Sequence, residues 1–221
     1  MTVHMKNEIE KIKKKLLELC AQVEEQLWQA VKSIKDSNID LAHAVIDYDS
    51  HIDQEEVDVE EECLKTLALY QPVAIDLRFI VTALKINNDL ERIADLSVNI
   101  AERSEFLANQ SPVETPFDFE TMAEKVQTML RKSIDALVNI DCSLAHEVCK
   151  MDDEVDAINR QMYDLVKQEI LKKPDHIESL IHLLSVSRHL ERIGDHATNI
   201  AEDVIYMAEG KIVRHKAESY K

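Results

Sequence analysis

Apolar residues recur at intervals of three and four along most of the chain, the spacing that places them on one face of an α-helix. Near the N-terminus they form one continuous stripe, which ends at the turn-forming segment DSNID. The stripe predicts a long first helix with a core-facing side. Its members are Ile9, Ile12, Leu16, Leu19, Val23, Leu27, Val31 and Ile34.

The same periodicity predicts five further helices, and the prolines fall where the pattern breaks. These helices are expected at about residues 38–70, 72–109, 119–139, 143–172 and 174–209. Pro72 and Pro174 are expected near helix starts, and Gly210 as a C-terminal stop. Only two glycines and four prolines occur among 221 residues. This scarcity of turn-forming residues favours an all-α fold.

Two pairs of similar segments indicate an internal duplication. LERIADLSVNIAE, which starts at Leu90, returns as LERIGDHATNIAE 100 positions later, and LAHAV, which starts at Leu41, returns as LAHEV 103 positions later. Three helices are the fewest that enclose a helical core. We therefore predict two tandem three-helix bundles, joined end to end.

The boundaries of these bundles follow from one change in composition. Proline and polar residues cluster in NQSPVETPFD, which predicts a linker at 109–118. The predicted domains are a first bundle at 1–108, a second bundle at 119–210 and a C-terminal tail at 211–221.

The charge balance limits the classes of partner. The chain has 43 acidic and 26 basic residues, for a formal net charge of −17, which would repel nucleic acid and favours cations or basic partners. Charged residues are scattered through the N-terminus, and no window reaches the roughly 20 apolar residues of a membrane helix. We expect a cytoplasmic protein that reaches a membrane only through partners.

A few single residues carry expectations of their own. The four cysteines form no C-x-x-C pair and are expected to be reduced core residues. Trp28 is expected in the core. Gly194 lies inside a predicted helix, where glycine costs about 1 kcal/mol relative to alanine, so a close approach by another backbone or a ligand is expected there.

A repeated set of acidic residues is the main candidate for chemistry. Each half has D-x-x-x-D on its second helix and E-x-x-x-D on its third, and at about 100° per residue these acids fall beside the apolar stripe. Asn159 stands where the first half has Glu56. The set comprises Asp49, Asp53, Glu56, Glu91, Asp95 and Glu102 in the first half, and Asp152, Asp156, Glu191, Asp195 and Glu202 in the second.

Packing of the second and third helices would bring several of these carboxylates together. Like charges withdrawn from water repel unless protons or cations neutralise them, and Arg92 and Arg192 are expected to point away from the adjacent glutamates. Carboxylate oxygens suit hard or borderline metal ions, so we predict metal binding. Asn99 and Asn199 are possible additional ligands. The alternative is that the acids form solvated helix faces.

Other chemistry has less support in the sequence. The Glu-x-x-His motif of helical di-iron enzymes is absent at these positions, and His196 only flanks the second E-x-x-x-D. No arrangement of serine, cysteine and histidine suggests a nucleophile, and no glycine-rich loop could hold a nucleotide. A carboxylate-bridged metal-dependent hydrolase or oxidase and a helical scaffold without metal remain alternatives to a non-enzymatic regulator.

The repeated segments LERIADLSVNIAE and LERIGDHATNIAEDVIYMAEG resemble those of the PhoU family over essentially the whole length. That family has tandem three-helix bundles with E(D)-x-x-x-D motifs. The segment PVAIDLRFIVTALKI also resembles the family, but its counterpart after Pro174 lacks the D-L-R, so a role tied to Asp76 and Arg78 would belong to one half. The matching pairs are Asp49 with Asp53, Glu91 with Asp95, Asp152 with Asp156, and Glu191 with Asp195.

The resemblance implies a cytoplasmic homodimer that acts in negative regulation of phosphate transport and phosphate-starvation signalling. Its implied partners are the ATPase subunit of the phosphate ABC transporter and the phosphate-sensing histidine kinase. The implied metals are iron, zinc, manganese or magnesium, in sites that include multinuclear clusters. Direct binding of phosphate is left open, as is metal loading of both halves.

Overall fold

A computed structural model describes residues 3–111, 113 and 118–211. This part of the chain contains six long α-helices and no strand, which confirms the all-α prediction. Pro72 precedes α3, which begins at Ala74, and Pro174 belongs to a short 3₁₀ turn (Pro174–His176) before α6. Each proline therefore lies near a helix start, as expected, but neither is the first residue of its α-helix. The helices are α1 (Val3–Asp36), α2 (Ile39–Tyr70), α3 (Ala74–Ala108), α4 (Phe119–Asn139), α5 (Cys142–Lys172) and α6 (Ile177–Glu209).

Local capping chemistry explains several of these helix ends. Asn38 precedes α2 and accepts a hydrogen bond from the Leu41 backbone at 3.1 Å, and Asp141 caps α5 in the same way. Such side chains satisfy backbone N–H groups that a helix start leaves unpaired. At the end of α6, Gly210 takes a φ of 70°, the left-handed conformation that glycine adopts without strain. The predicted stop at Gly210 is confirmed.

Helices α1, α2 and α3 pack as a first bundle, and α4, α5 and α6 pack as a second. The buried apolar residues of both bundles form one continuous core. In the predicted stripe of α1, the members from Ile9 to Leu27 are buried, whereas Val31 and Ile34 are partly buried. Of the predicted linker, residues 112 and 114–117 lie outside the described residues, as do 212–221 of the predicted tail.

The two bundles lie side by side, with α3 packed along α6 and α1 touching α4. Lys85 of α3 contacts Asp203 of α6, whereas Phe106 contacts His182, so these two helices are antiparallel. The predicted end-to-end arrangement is therefore wrong. The reason is that α3 and α6 bury residues around most of their circumference, which gives each a second face to cover.

Trp28 is 45% exposed, so its predicted place in the core is wrong. Leu27 and Ala30 occupy the core positions in this turn of α1, and the indole falls outside them. The Lys32 ammonium group lies 4.5 Å from the ring centroid, a cation–π contact at the surface.

None of the four cysteines forms a disulfide, as predicted. Cys20 and Cys63 are buried, whereas Cys142 and Cys149 are only partly buried, so only two of the four are core residues as predicted. Burial raises the pKa of the Cys20 and Cys63 thiols to about 12, so they remain protonated at neutral pH. Within the described ranges, no helix has the length and hydrophobicity needed to cross a bilayer.

Candidate functional site

Helices α2 and α3 bring the predicted acids of the first half together. Asp53 of α2 and Asp95 of α3 both raise the pKa of Asp49. Asp95 and Asp53 also raise the pKa of Glu91. We call Asp49, Asp53, Glu91 and Asp95 the first cluster.

Burial is the largest cause of the raised pKa of Asp49 and of Glu91, ahead of the neighbouring carboxylates. Asp49 Oδ1 and Glu91 Oε2 are buried and make no hydrogen bond within the described part of the chain. Arg92 approaches more closely than predicted, with Nε 3.5 Å from Glu91 Oε2 and Nη1 3.8 Å from Asp95 Oδ2. Burial nevertheless outweighs this charge, because the pKa of Glu91 stays raised.

Glu56 lies at the rim of the first cluster and already has a partner. The Asn87 side chain donates to Glu56 Oε1 at 3.0 Å and to its backbone oxygen at 2.9 Å. In the second half, Asn159 Oδ1 accepts from Ser187 Oγ at 2.9 Å. The equivalence of Glu56 and Asn159 in the repeat is therefore confirmed, and the two halves differ in charge at this position.

Helices α5 and α6 form an equivalent second cluster from Asp152, Asp156, Glu191 and Asp195. Burial, followed by Asp195 and Asp156, raises the pKa of Asp152 to about 7. Burial also raises the pKa of Glu191 and of Asp195, with Asp156 adding to both and Arg192 opposing both. Arg192 is therefore near enough to lower both pKa values, but burial and the neighbouring carboxylates outweigh its charge.

The first helix of each bundle, α1 or α4, contributes a different side chain beside the acids, which explains part of the difference in pKa between the clusters. In the first half, Gln26 of α1 hydrogen-bonds Asp49 and opposes the rise in its pKa. The repeat offset of 103 places Met129 of α4 at the position of Gln26. Thr198 of α6 lies near Asp152 instead and opposes the rise in its pKa. The clusters are therefore similar in their acids but differ in the side chains around them.

Gly194 packs beside the second cluster at ordinary contact distance. A Cβ atom at this position would lie 3.6 Å from Asp152 Oδ1 and 3.6 Å from Met129 Cε. These are van der Waals distances to side chains, and no backbone from another helix comes as close. The close backbone approach expected at Gly194 is therefore not found.

The remaining predicted ligands lie outside the clusters. Glu102 and Glu202 follow Asp95 and Asp195 by two helical turns, or about 10 Å along the helix. Glu102 is exposed, with Oε2 3.9 Å from Arg103 Nη2. The two asparagines also point elsewhere: Asn99 donates to the Asp95 backbone oxygen at 2.7 Å, and Asn199 donates to Asp89 Oδ1 at 3.2 Å.

Polar contacts between α3 and α6 were not predicted from the sequence. Asp89 Oδ1 lies 2.8 Å from His196 Nδ1, and Lys85 Nζ lies 3.1 Å from Asp203 Oδ1. The sequence contained one indication of this interface. At two pairs of corresponding positions, an acidic residue in one repeat is replaced by a basic residue in the other. Asp89 corresponds to His189, and Arg103 corresponds to Asp203.

The donor chemistry of both clusters fits a hard or borderline cation. Each cluster holds four carboxylates from two helices, and the first contains two buried oxygens that accept no hydrogen bond from the described residues. Among the described residues, no three carboxylate, imidazole or thiolate side chains are already arranged to hold one ion. Coordination would therefore require the carboxylates to turn toward a common point.

The sequence pattern of the family described as "PhoU domain" matches this chain twice, at residues 16–104 and 119–204. The chain belongs to the PhoU family. The two matches coincide with the two bundles, which confirms the duplication and the family resemblance.

Relatives of the PhoU family align over nearly the whole chain. The "Phosphate-specific transport system accessory protein PhoU homolog" of Aquifex aeolicus is 39% identical over 209 residues, 95% of each chain. A PhoU homolog of Thermotoga maritima is 34% identical over 95% of this chain and 90% of its own. The crystal structure of PhoU from Pseudomonas aeruginosa superposes with a TM-score of 0.89 at 34% identity, covering 93% of this chain and 99% of that one.

Proposed function

We propose that this chain is a non-enzymatic regulator of phosphate uptake and phosphate-starvation signalling. It acts by contact with the ATPase subunit of the phosphate ABC transporter and with the phosphate-sensing histidine kinase. The support is family membership along both bundles, together with relatives named as phosphate-specific transport system accessory proteins. A Streptococcus pneumoniae structure described as a phosphate transport system regulatory protein is 26% identical, with a TM-score of 0.83 over 95% of this chain and 99% of that one.

We further propose that the two carboxylate clusters bind divalent or trivalent metal ions, namely iron, zinc, manganese or magnesium, singly or as multinuclear sites. The observation that supports this proposal is the meeting of four carboxylates from two helices in each cluster, where burial and the neighbouring carboxylates raise the pKa of Asp49, Glu91 and Asp152 and so disfavour the ionised acids unless a positive charge neutralises them. A cation would replace the protons. It would link α2 to α3 in one bundle, or α5 to α6 in the other.

The arrangement favours binding over catalysis. Both carboxylates from each helix face the same cluster, so ligation would use all four and leave no separate general base. His196 is next to Asp195 in the sequence, but its Nδ1 atom is held by Asp89 across the interface between α3 and α6. The metal-dependent hydrolase or oxidase therefore gains no support from the geometry.

The proposal includes a cytoplasmic homodimer that reaches the membrane only through its partners. The exposed Asp53 and Asp195 place part of each cluster at the surface, and the net charge of −17 suits basic surfaces on the partner proteins. Metal in the clusters would fix the helix pairs and so determine the shape of the surface offered.

Binding to purified partners tests the proposal directly. Light scattering and pull-down with the transporter ATPase subunit, and separately with the cytoplasmic part of the kinase, should show a complex when metal is present. The double variant Asp53→Asn with Asp156→Asn should bind more weakly. Asp47→Asn with Asp153→Asn makes the same charge change at exposed positions of α2 and α5 and should bind like the wild type. Absence of a complex with either partner would refute the regulator.

A further inference from the structure

The interface between α3 and α6 has two ends that the internal repeat makes equivalent. One end is formed by the first half of α3 and the second half of α6. There both buried carboxylates have a partner on the other helix, because Lys85 pairs with Asp203 and His196 contacts Asp89. Asp203 and Asp89 are both largely buried, so these internal partners are needed.

At the other end, bases replace both acids. His189 stands at the position that corresponds to Asp89, and Arg103 stands at the position that corresponds to Asp203. Ser185 and Leu96 replace their partners Lys85 and His196. This end therefore carries positive and N–H donor groups but lacks the carboxylates that balance the first end.

Three nitrogen atoms at this end remain without a hydrogen bond. They are Arg103 Nε, His182 Nδ1 and His189 Nδ1, all buried and all without a partner among the described residues. The Phe106 ring stacks on the His182 imidazole, with centroids 3.7 Å apart and planes inclined by 6°. This stack fixes the orientation of one imidazole. We call Arg103, His182 and His189 the basic cluster.

The electrostatics of the basic cluster agree with a missing negative charge. Burial, followed by Arg103, lowers the pKa of His182. The acids nearby are the exposed Glu102, whose Oε2 is 3.9 Å from Arg103 Nη2, and the exposed Glu178, which opposes the pKa shift of His182.

We propose that Arg103 of α3 and His189 of α6 bind a small tetrahedral oxyanion of the phosphate and sulfate class between the two helices, whereas His182, two helical turns or about 10 Å along α6 from His189, lies beyond the reach of the same ion. A guanidinium group suits such an anion because its N–H donors lie in a fixed plane, and the His189 imidazole adds a donor from the opposite helix. The bound anion supplies the charge that Asp89 and Asp203 supply at the other end. This inference concerns the isolated chain and goes beyond the proposed partner contacts, so either can fail while the other holds.

Calorimetric titration of inorganic phosphate into chelator-treated protein tests the proposal. Chelator removes metal that could bind phosphate elsewhere, and sodium chloride keeps the ionic strength constant. We expect saturable binding of one anion per chain by phosphate, and by sulfate in a parallel titration. Arg103→Gln should weaken binding by about tenfold or more, because a charged hydrogen-bond donor is lost. Arg131→Gln, an exposed change of the same charge on α4, should leave binding unchanged.

His189→Asp provides an independent variant, because it installs the acid that the first repeat has at Asp89. It should abolish anion binding, and the thermal melting of the anion-free variant shows whether it is folded. Equal affinity in the wild type and in Arg103→Gln would overturn the proposal, as would the absence of saturable binding by both anions. If acetate binds as tightly as phosphate, the phosphate-class assignment is wrong and the site recognises carboxylates of another protein.

Discussion

Asp89 on α3 places its Oδ1 atom 2.8 Å from His196 Nδ1 on α6. The same oxygen accepts a hydrogen bond from Asn199 at 3.2 Å. Asp89 is only 9% exposed, so this contact between the two bundles is largely shielded from water. It fixes the position of α3 along α6, because a shift of one helical turn would separate the carboxylate from both partners.

Replacement of Asp89 by alanine should destabilise the protein by about 2 kcal/mol, because it leaves His196 and Asn199 without their acceptor in a buried interface. Asp135→Ala removes an exposed aspartate of α4 and should change stability by no more than about 0.5 kcal/mol. Urea denaturation of both variants measures the difference. Equal midpoints for the two variants would show that the contact does not stabilise the interface.

Asp152 should make the stability of the metal-free protein depend on pH. Its pKa is about 7 in the folded chain, against about 3.9 for an ordinary aspartate in the unfolded chain. Between these values the folded state binds more protons, so the free energy of unfolding should fall as pH rises from about 4 to about 7. Above about pH 7, the stability contributed by protonated Asp152 is fully lost.

Asp152→Asn removes this ionisation and should raise the free energy of unfolding at pH 8 by about 1 kcal/mol, after allowance for partial solvent access. It should also flatten the pH profile between pH 4 and pH 7. Asp135→Asn, at an exposed position of α4, serves as the control and should follow the wild type. Chemical denaturation across this pH range gives the answer, and parallel profiles for Asp152→Asn and the wild type would contradict the raised pKa.

The two glycines should respond oppositely to alanine. Gly194→Ala should stabilise the protein by about 1 kcal/mol, because a Cβ fits there at ordinary contact distance and alanine favours a helix. Gly210→Ala should destabilise it by about 1–2 kcal/mol, because φ is 70° and the Cβ would lie 2.6 Å from Arg78 Nη1. Thermal melting distinguishes the two variants, and a destabilising Gly194→Ala would indicate tighter packing at the second cluster.

Helix positions were predictable from the sequence because each depends on residues close together in the chain. The pairing of α2 with α3 was also predictable, since the repeated D-x-x-x-D and E-x-x-x-D motifs put Asp49 and Asp95 on facing sides. The contact between α3 and α6 was not predicted. It depends on which apolar face of α3 and of α6 packs against the other bundle and which packs within its own bundle, and local periodicity does not decide that.

Single residues show the same limit. Trp28 was assigned to the core by its residue type, although Leu27 and Ala30 fill the core positions beside it. Glu102 was included in the acid set by its angular position on the helix, but it lies about two turns along the axis from Asp95. An angular projection discards this axial distance, so it overestimates the number of acids that can meet.

Metal content tests the central claim that the two carboxylate clusters are cation sites. Elemental analysis of freshly purified wild-type protein should find iron, zinc, manganese or magnesium, and the double variant Asp53→Asn with Asp156→Asn should retain much less. The control Asp47→Asn with Asp153→Asn should retain the wild-type amount. Absence of metal from the wild type, or an equal amount in the cluster variant, would contradict the claim.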